Sequence, residues 1–338
     1  MKIIRLHEPY DKNLISSEPI VLAMGFFDGV HLGHQRVLKK AVEIGKENNQ
    51  KVAAMTFDHH ASVVFQNKNQ KFSGLSYLTS VNRKAELMKN IGVDLLYVVD
   101  FTSALGSLSP DTFVQEYMVD LHAKTVVAGF DYTYGPANVA NMENLPKFAD
   151  KRFKVVKIDK FDINQKKVGS SLIRNLITDG NIDDANKYLG YSFQTQGVVV
   201  HGEARGRTLG FPTANIVSSE NQIIPGIGIY VVMIKIGHKW YQGMASVGKN
   251  IVFGSGRPVT TEINILDFHQ AIYGETAKIK WIHRLRGEEN FASVADLVVQ
   301  LHQDEADTRN FLKKYKGVWP FLTNVDIFAI LWYLNKWS

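Results

Sequence analysis

Two histidines three residues apart, His31 and His34, stand in the stretch GFFDGVHLGHQ from Gly25 to Gln35. The preceding PIVLAMG reads as a buried parallel strand, and Val37, Leu38, Ala41 and Ile44 then recur at a helical period. Gly25, Phe26, Phe27, Asp28, Gly29 and Gly33 therefore fall in or beside a strand-to-helix turn. Glycines in such a turn let the backbone approach a ligand, and the unpaired N–H groups of the helix's first turn face any anion in front of them. Two imidazoles beside it could donate to a phosphate whose charge grows in a transition state, which is catalysis without a covalent nucleophile. The same pair could also be metal ligands or polar residues of an exposed loop. Against a metal stand the absence of cysteine and of a carboxylate three or four residues after either imidazole.

A second chemical stretch is HGEARGRTLGFPTANI, His201 to Ile216. Gly202, Gly206 and Gly210 give a loop whose amides can wrap phosphates, with Arg205 and Arg207 adding positive charge. Thr213 and Asn215 alternate with Ala214, so as strand residues they share one face and can offer two oxygens to a magnesium ion carrying ATP. The stretch is not a Walker A loop, whose G-x-x-x-x-G-K-[ST] order occurs nowhere in the chain. In VTTEINILDF the strand period places Thr260, Glu262 and Asn264 on one face. A carboxylate there can orient a substrate hydroxyl and take its proton during phosphoryl transfer. The plain alternatives are a Gly-rich hairpin and an exposed strand glutamate. A third cluster opens the helix SSLIRNLITDG: Ser170 or Ser171 is a suitable N-cap, and Arg174 follows closely enough for hydroxyl, helix dipole and guanidinium to converge on one anion. Its plain alternative is a capped surface helix.

The elements that must position these groups change character along the chain. Up to about residue 158, apolar runs (KVAAMTF, VDLLYVVD, KTVVAGF, RFKVVKID) alternate with helical ones (SVNRKAELMKNIG, SPDTFVQEYMVDL), the pattern of a doubly wound parallel sheet that binds ligands at its strands' carboxyl ends. TFDHH, Thr56 to His60, and AGFDYTYG, Ala128 to Gly135, occupy such ends. After a helical pair ending near Gly190, six short runs rich in Val, Ile, Thr and Tyr precede one helix over about 293–315, which predicts a closed or nearly closed antiparallel barrel with a covering helix.

Length and composition allow two modules: 338 residues with 45% hydrophobic content can bury two ordinary cores. The chain has no cysteine, which excludes disulfides, thiol nucleophiles and cysteine-ligated clusters. The opening MKIIRLHEPYDKN lacks the h-region and cleavage site of an export signal, so a cytoplasmic protein is expected. A net charge of +6 is dispersed without basic blocks, which suits anionic small substrates and gives no sign of nucleic-acid binding.

The G-F-F-D-G-V-H-x-G-H loop and the unbroken G-R-T-L-G-F-P-T-A-N stretch resemble the signatures of the bacterial bifunctional riboflavin kinase/FMN adenylyltransferase (FAD synthetase) family. The resemblance spans about residues 15 to 315 in order. It implies an α/β nucleotidyltransferase domain of the HxGH type over 1–190, including a helical segment at 168–190, then an antiparallel β-barrel riboflavin kinase domain with a C-terminal helix over 191–316. It implies catalytic roles for His31, His34 and Glu262, the last matching the base of a V-E-x-x-L-x-D-F segment. ATP in the first module would meet Gly25, Phe26, Phe27, Asp28, Gly29 and Gly33 together with Ser170, Ser171 and Arg174, which match the family's S-S-T-x-x-R with Gly169 in the first place. Flavin there would meet Phe57, His60 and Asp131; the family's F-D-P-H-P is here Phe57–Ala61 without either proline. In the kinase module, Gly206, Arg207, Thr208, Gly210, Pro212, Thr213 and Asn215 would hold ATP, with Thr213 and Asn215 on magnesium, and Arg286 of RLRGEENF would contact flavin. The family's G-x-N-P-T-F is replaced by Gly248 to Phe253 (GKNIVF).

The implied partners are riboflavin, FMN, FAD and Mg2+ with ATP, with no nucleic acid, no membrane, and a monomer or weak homo-oligomer. Two rival readings follow from the changed segments: a chain in which one module alone turns over, and a flavin-responsive binding or regulatory protein. The last segment, 317–338, has an apolar run interrupted by Asp326 and too short to span a bilayer, and is expected to pack on the barrel or on another copy.

Overall fold

The computed structural model describes residues 1–65, 76–202, 205–219, 221–248 and 259–315, Arg205 by its backbone alone. The chain begins with a strand the alternation did not announce, β1 (Lys2–Leu6), followed by β2 (Ile20–Met24), β3 (Lys51–Phe57), β4 (Leu95–Val99), β5 (Ala123–Gly129) and β6 (Lys154–Ile158). These form one six-stranded parallel sheet in the order β1-β4-β3-β2-β5-β6. β2 is buried along its whole length, as a strand covered on both faces must be. The chain steps from β2 outward to β3 and β4, then returns to place β5 on β2's other side. The strand order therefore reverses beside β2, and the crevice at its carboxyl end is the place where open α/β sheets bind ligands.

Helix α1 (Leu32–Glu47) follows β2 and buries Val37, Leu38, Ala41 and Ile44 against the sheet. Helix α2 (Val81–Ile91) is capped by Ser80 and stopped by Gly92 at positive φ. The run SPDTFVQEYMVDL does not make a single regular helix: after the short α3 (Ser103–Gly106), α4 (Pro110–Val114) passes into a π-helical turn at Gln115–Val119. Helix α5 (Leu145–Ala149) leads into β6, and a small hairpin, β7 (Asp162–Ile163) with β8 (Lys166–Lys167), precedes α6 (Ser170–Thr178) and α7 (Ile182–Leu189).

From β9 (Gln194–Val200) the chain is a barrel. With α8 (Arg205–Thr208), β10 (Ala214–Ser218), β11 (Gly228–Ile236), β12 (Lys239–Gly248), β13 (Thr260–Ile265) and β14 (Thr276–Arg286), its strands close in the order β10-β13-β12-β11-β14-β9. Closure leaves no strand edge exposed to another chain. Helix α9 (Val294–Lys314) lies on the outside and buries Leu312 beside Val231 and Ile282. The last segment, 317–338, lies outside the described residues.

The two halves share one apolar cluster, which runs from Val21 and Leu38 through Ile177 and Leu189 to Trp281 inside the barrel. Asn186 on α7 closes the junction, its amide donating to the Trp281 carbonyl at 2.9 Å and accepting from the Phe193 N–H at 2.6 Å. Trp281 is fully buried and donates its indole N–H to Thr195 Oγ1 at 2.9 Å, so the polar edge of this large side chain is satisfied.

Candidate active sites

A cavity of about 1000 Å3 opens at the carboxyl end of β2, between the turn, β5 and the start of α6. Of the residues singled out for the first module, all except Gly29 line it: the turn, both histidines, Phe57 at the end of β3 and His60 beyond it, Asp131 after β5, and Ser170, Ser171 and Arg174. The turn itself is strained, since Phe27 and Val30 hold positive φ without being glycine. Gly29 has φ +81°, and a Cβ there would meet Leu78 Cδ1 at 2.7 Å, so it shapes the turn from behind.

His31 caps α1, with Nδ1 accepting from the His34 N–H at 3.3 Å. That contact makes Nδ1 the acceptor nitrogen and assigns the proton of the neutral ring to Nε2. The two rings stack at 3.6 Å between centroids. His31 is 5% exposed, and burial lowers its pKa to about 4. Burial also pushes His34 well below the usual range, with the charges of His31 and Lys84 adding to the effect. Both are thus neutral donors at pH 7. No cluster of three or more groups suited to a metal ion occurs among the described residues, so the metal reading of this pair finds no completing ligand.

The expected cap at Ser170 or Ser171 is corrected: Gly169 is the cap residue of α6, with no side-chain hydrogen bond. Ser170 lies in the first turn, and its hydroxyl is drawn across to the Asp28 carbonyl at 2.9 Å. Arg174 pairs with the Asp28 carboxylate at 2.8 Å and donates to the Ser76 carbonyl at 3.1 Å. Asp28 is 1% exposed and also accepts from the Leu78 and Thr79 N–H groups at 3.0 and 3.1 Å. It therefore ties the turn to the segment before α2 and to α6. His60 presents an edge to Phe26 at 5.3 Å, and burial, with Arg174 nearby, lowers its pKa. Asp131 pairs with Lys167 of β8 at 2.7 Å.

Several further groups line the cavity, Lys167 on the hairpin and Phe101 after β4 among them. Each sits in a segment without a motif. Lys84, behind the turn, was hidden in a helical period that reads as an ordinary solvated face.

The second constellation assembles on the barrel. Asn215 of β10 pairs in register with Glu262 of β13. Thr213 precedes β10 instead of lying within it, because the strand starts at Ala214, yet its hydroxyl reaches Glu262 Oε2 at 2.9 Å. Asn264, next on the same face of β13, donates to the Pro212 carbonyl at 2.9 Å and so anchors the end of the loop. Gly206, Arg207, Thr208 and Gly210 lie in and just after α8; a Cβ on Gly206 would collide with the Phe211 carbonyl, so only glycine fits there. Arg286 is turned to α9, where Asp304 receives it through two contacts of 2.8 and 2.7 Å. The segment from Lys249 to Phe253 lies outside the described residues.

Comparison with known proteins sets these two clusters in context. The family model described as FAD synthetase matches residues 14–172, and that described as riboflavin kinase matches residues 189–312. A protein of Listeria monocytogenes named bifunctional riboflavin kinase/FMN adenylyltransferase is 46% identical over 314 residues, 93% of this chain and 99% of that one. The chain belongs to the bifunctional riboflavin kinase/FMN adenylyltransferase family. A member of Bacillus subtilis with the same name is 35% identical, covering 94% of this chain and all of its own. A solved structure described as a macrolide-efflux protein from Streptococcus pneumoniae superposes with a TM-score of 0.83 at 36% identity, covering 92% of this chain and 99% of that one. The parallel-sheet module is the FAD synthetase module of this bifunctional transferase, and the barrel is its riboflavin kinase module. No helix among the described residues is long and apolar enough to cross a membrane.

Proposed function

We propose that this chain makes FAD from riboflavin in two steps, with the cavity at β2 as the adenylyltransferase site and the Thr213–Asn215–Glu262 cluster as the kinase site. In the barrel, the 5′-hydroxyl of riboflavin loses its proton to Glu262 and attacks the γ-phosphorus of Mg·ATP, and ADP leaves. Thr213 and Asn215 supply hard oxygen donors suited to the magnesium ion that enters with ATP, and the Gly206–Gly210 turn cradles the phosphates. In the cavity, an FMN phosphate oxygen attacks the α-phosphorus of a second ATP, the bond to the β-phosphate oxygen breaks, and pyrophosphate leaves with the electron pair. His31 Nε2–H and His34 donate to the charge that develops on the phosphoryl oxygens, and Ser170, Ser171 and Arg174 hold the polyphosphate. Phe57, His60 and Asp131 border the space left for the flavin.

One observation carries the first assignment most strongly: residues from the turn, β3, β5 and α6, distant in sequence, border a single cavity at the topological switch of the sheet. Both reactions then depend on positioning and electrostatic stabilisation, for which the chain provides neutral imidazoles, amides and cations. His31→Ala and Glu262→Ala test the separation. The first variant should lose FAD formation from FMN while still converting riboflavin to FMN, and the second should do the reverse. Loss of both activities in either variant, with folding intact, would refute separate sites.

A further inference from the structure

Lys84 on α2 is 2% exposed, and none of the ion pairs found among the described residues involves its ammonium. The Nζ donates to the Phe26 carbonyl at 2.8 Å and to Thr56 Oγ1 at 3.2 Å, and it stands 3.9 Å from the centre of the Phe26 ring. Thr56 Oγ1 donates to the same carbonyl at 2.7 Å. Burial of an ammonium without a counter-ion is unfavourable, and an apolar side chain of the same length would fill this space at no such cost. The position of the charge points to what it does.

Two donors on the Phe26 carbonyl hold the peptide plane that joins Phe26 to Phe27. In a planar trans peptide the N–H points opposite to the carbonyl, so the Phe27 N–H is turned away from Lys84. Both residues line the cavity and Lys84 does not, which places its ammonium behind the turn. The other charge of the turn, Asp28, is already paired with Arg174. The two carboxylates that pull on the ammonium are both engaged elsewhere, Asp28 by Arg174 and Asp58 by the His59 and Phe101 N–H groups, and the lysine's remaining charge acts on the cavity through a poorly screening interior.

We propose that Lys84 is a positioning residue for adenylyl transfer, holding the Phe26–Phe27 peptide in place and supplying a positive charge from behind for the triphosphate. This rests on the reading of the β2 cavity as the adenylyltransferase site. The groups around the ammonium are Phe26 and Asp28 of the turn, Thr56 of β3, Asp58 and His60 just beyond β3, and His34 of α1. Burial lowers the lysine to about 8, against the opposing pull of Asp28 and Asp58.

The test compares the full-length wild type with Lys84→Met, measuring FAD formed from FMN and Mg·ATP and FMN formed from riboflavin, across about pH 6 to about pH 9. Lys84→Met should slow FAD formation at pH 7 by about ten-fold or more and leave FMN formation unchanged. The wild-type FAD rate should decline through about pH 8 as the ammonium loses its proton, and the Met variant should lack that limb. A variant forming FAD at the wild-type rate, or sharing the wild-type alkaline limb, overturns the proposal. Should Lys84→Met lose both activities, Lys84→Arg, which keeps the charge, must restore FAD formation, and failure to do so also overturns it. A wild type that phosphorylates riboflavin but makes no FAD from FMN would instead refute the underlying site reading.

Discussion

Arg174 and Asp28 lie 2.8 Å apart, one on the first turns of α6 and the other in the turn after β2, and the carboxylate is almost wholly buried. The pair joins two segments separated by most of the nucleotidyltransferase module. It also holds the guanidinium at the edge of the cavity in which a polyphosphate is proposed to bind.

Arg174→Ala should therefore act on both stability and turnover. It leaves the Asp28 carboxylate with the Leu78 and Thr79 N–H groups and the Thr79 hydroxyl at 3.4 Å, for an expected loss of about 2 kcal/mol, moderated by the partial exposure of the arginine. Urea unfolding gives the stability change. Flavin analysis of the same preparation should show FAD formation reduced and riboflavin phosphorylation retained.

Acid should weaken the fold through the stacked histidines. His31 titrates near 4 in the folded protein, against about 6.5 for an unperturbed ring, so between those values the unfolded chain binds the extra proton. Its contribution is fully present above about pH 6.5 and is lost as pH falls toward 4, by an amount on the order of 3 kcal/mol at the acid end. Urea midpoints at pH 7 and pH 5 read this, and His31→Gln should flatten the dependence.

Asn186 bridges the modules with three hydrogen bonds, the longest a 3.4 Å contact from its amide to the Ile282 carbonyl, and should be sensitive for that reason. Asn186→Ala leaves the Phe193 N–H and the Trp281 carbonyl without these partners, an expected cost of about 2 kcal/mol. Thermal unfolding of the full chain measures it, and a melting temperature equal to the wild type's would contradict the account of the junction.

Much of this architecture could be read from the sequence, and the exceptions have local causes. The alternation of apolar runs specified the parallel sheet because buried strands carry little else, as β2 illustrates. β1 escaped notice because it is an edge strand burying only Ile4 and Leu6, with Lys2 and Arg5 exposed. The barrel and its helix were legible from strand spacing. The cap of α6 was not, because Ser170 bonds to a residue 142 positions earlier, a distance at which local propensity is silent. The placing of Thr213 near Glu262 was anticipated through motif resemblance; their 2.9 Å contact depends on the register of β10 with β13.

Arg286 shows how a motif residue can have a structural partner as well. Asp304 is 2% exposed and receives the guanidinium through both oxygens, which fixes the end of β14 to α9. Asp304→Ala should destabilise the barrel by about 3 kcal/mol, since it leaves the partly buried guanidinium to the Gly287 carbonyl and a 4.0 Å approach to Glu289. Riboflavin phosphorylation should fall more than FAD formation from supplied FMN, as paired assays on one preparation would measure.

The most direct measurement is chromatographic separation of the flavins formed when purified protein is incubated with magnesium and ATP, starting in one reaction from riboflavin and in the other from FMN. Two working sites predict FAD in both reactions, with FMN as the intermediate in the first. FMN accumulating from riboflavin with no FAD in either reaction, or FAD from supplied FMN with riboflavin left untouched, would contradict the two-site account.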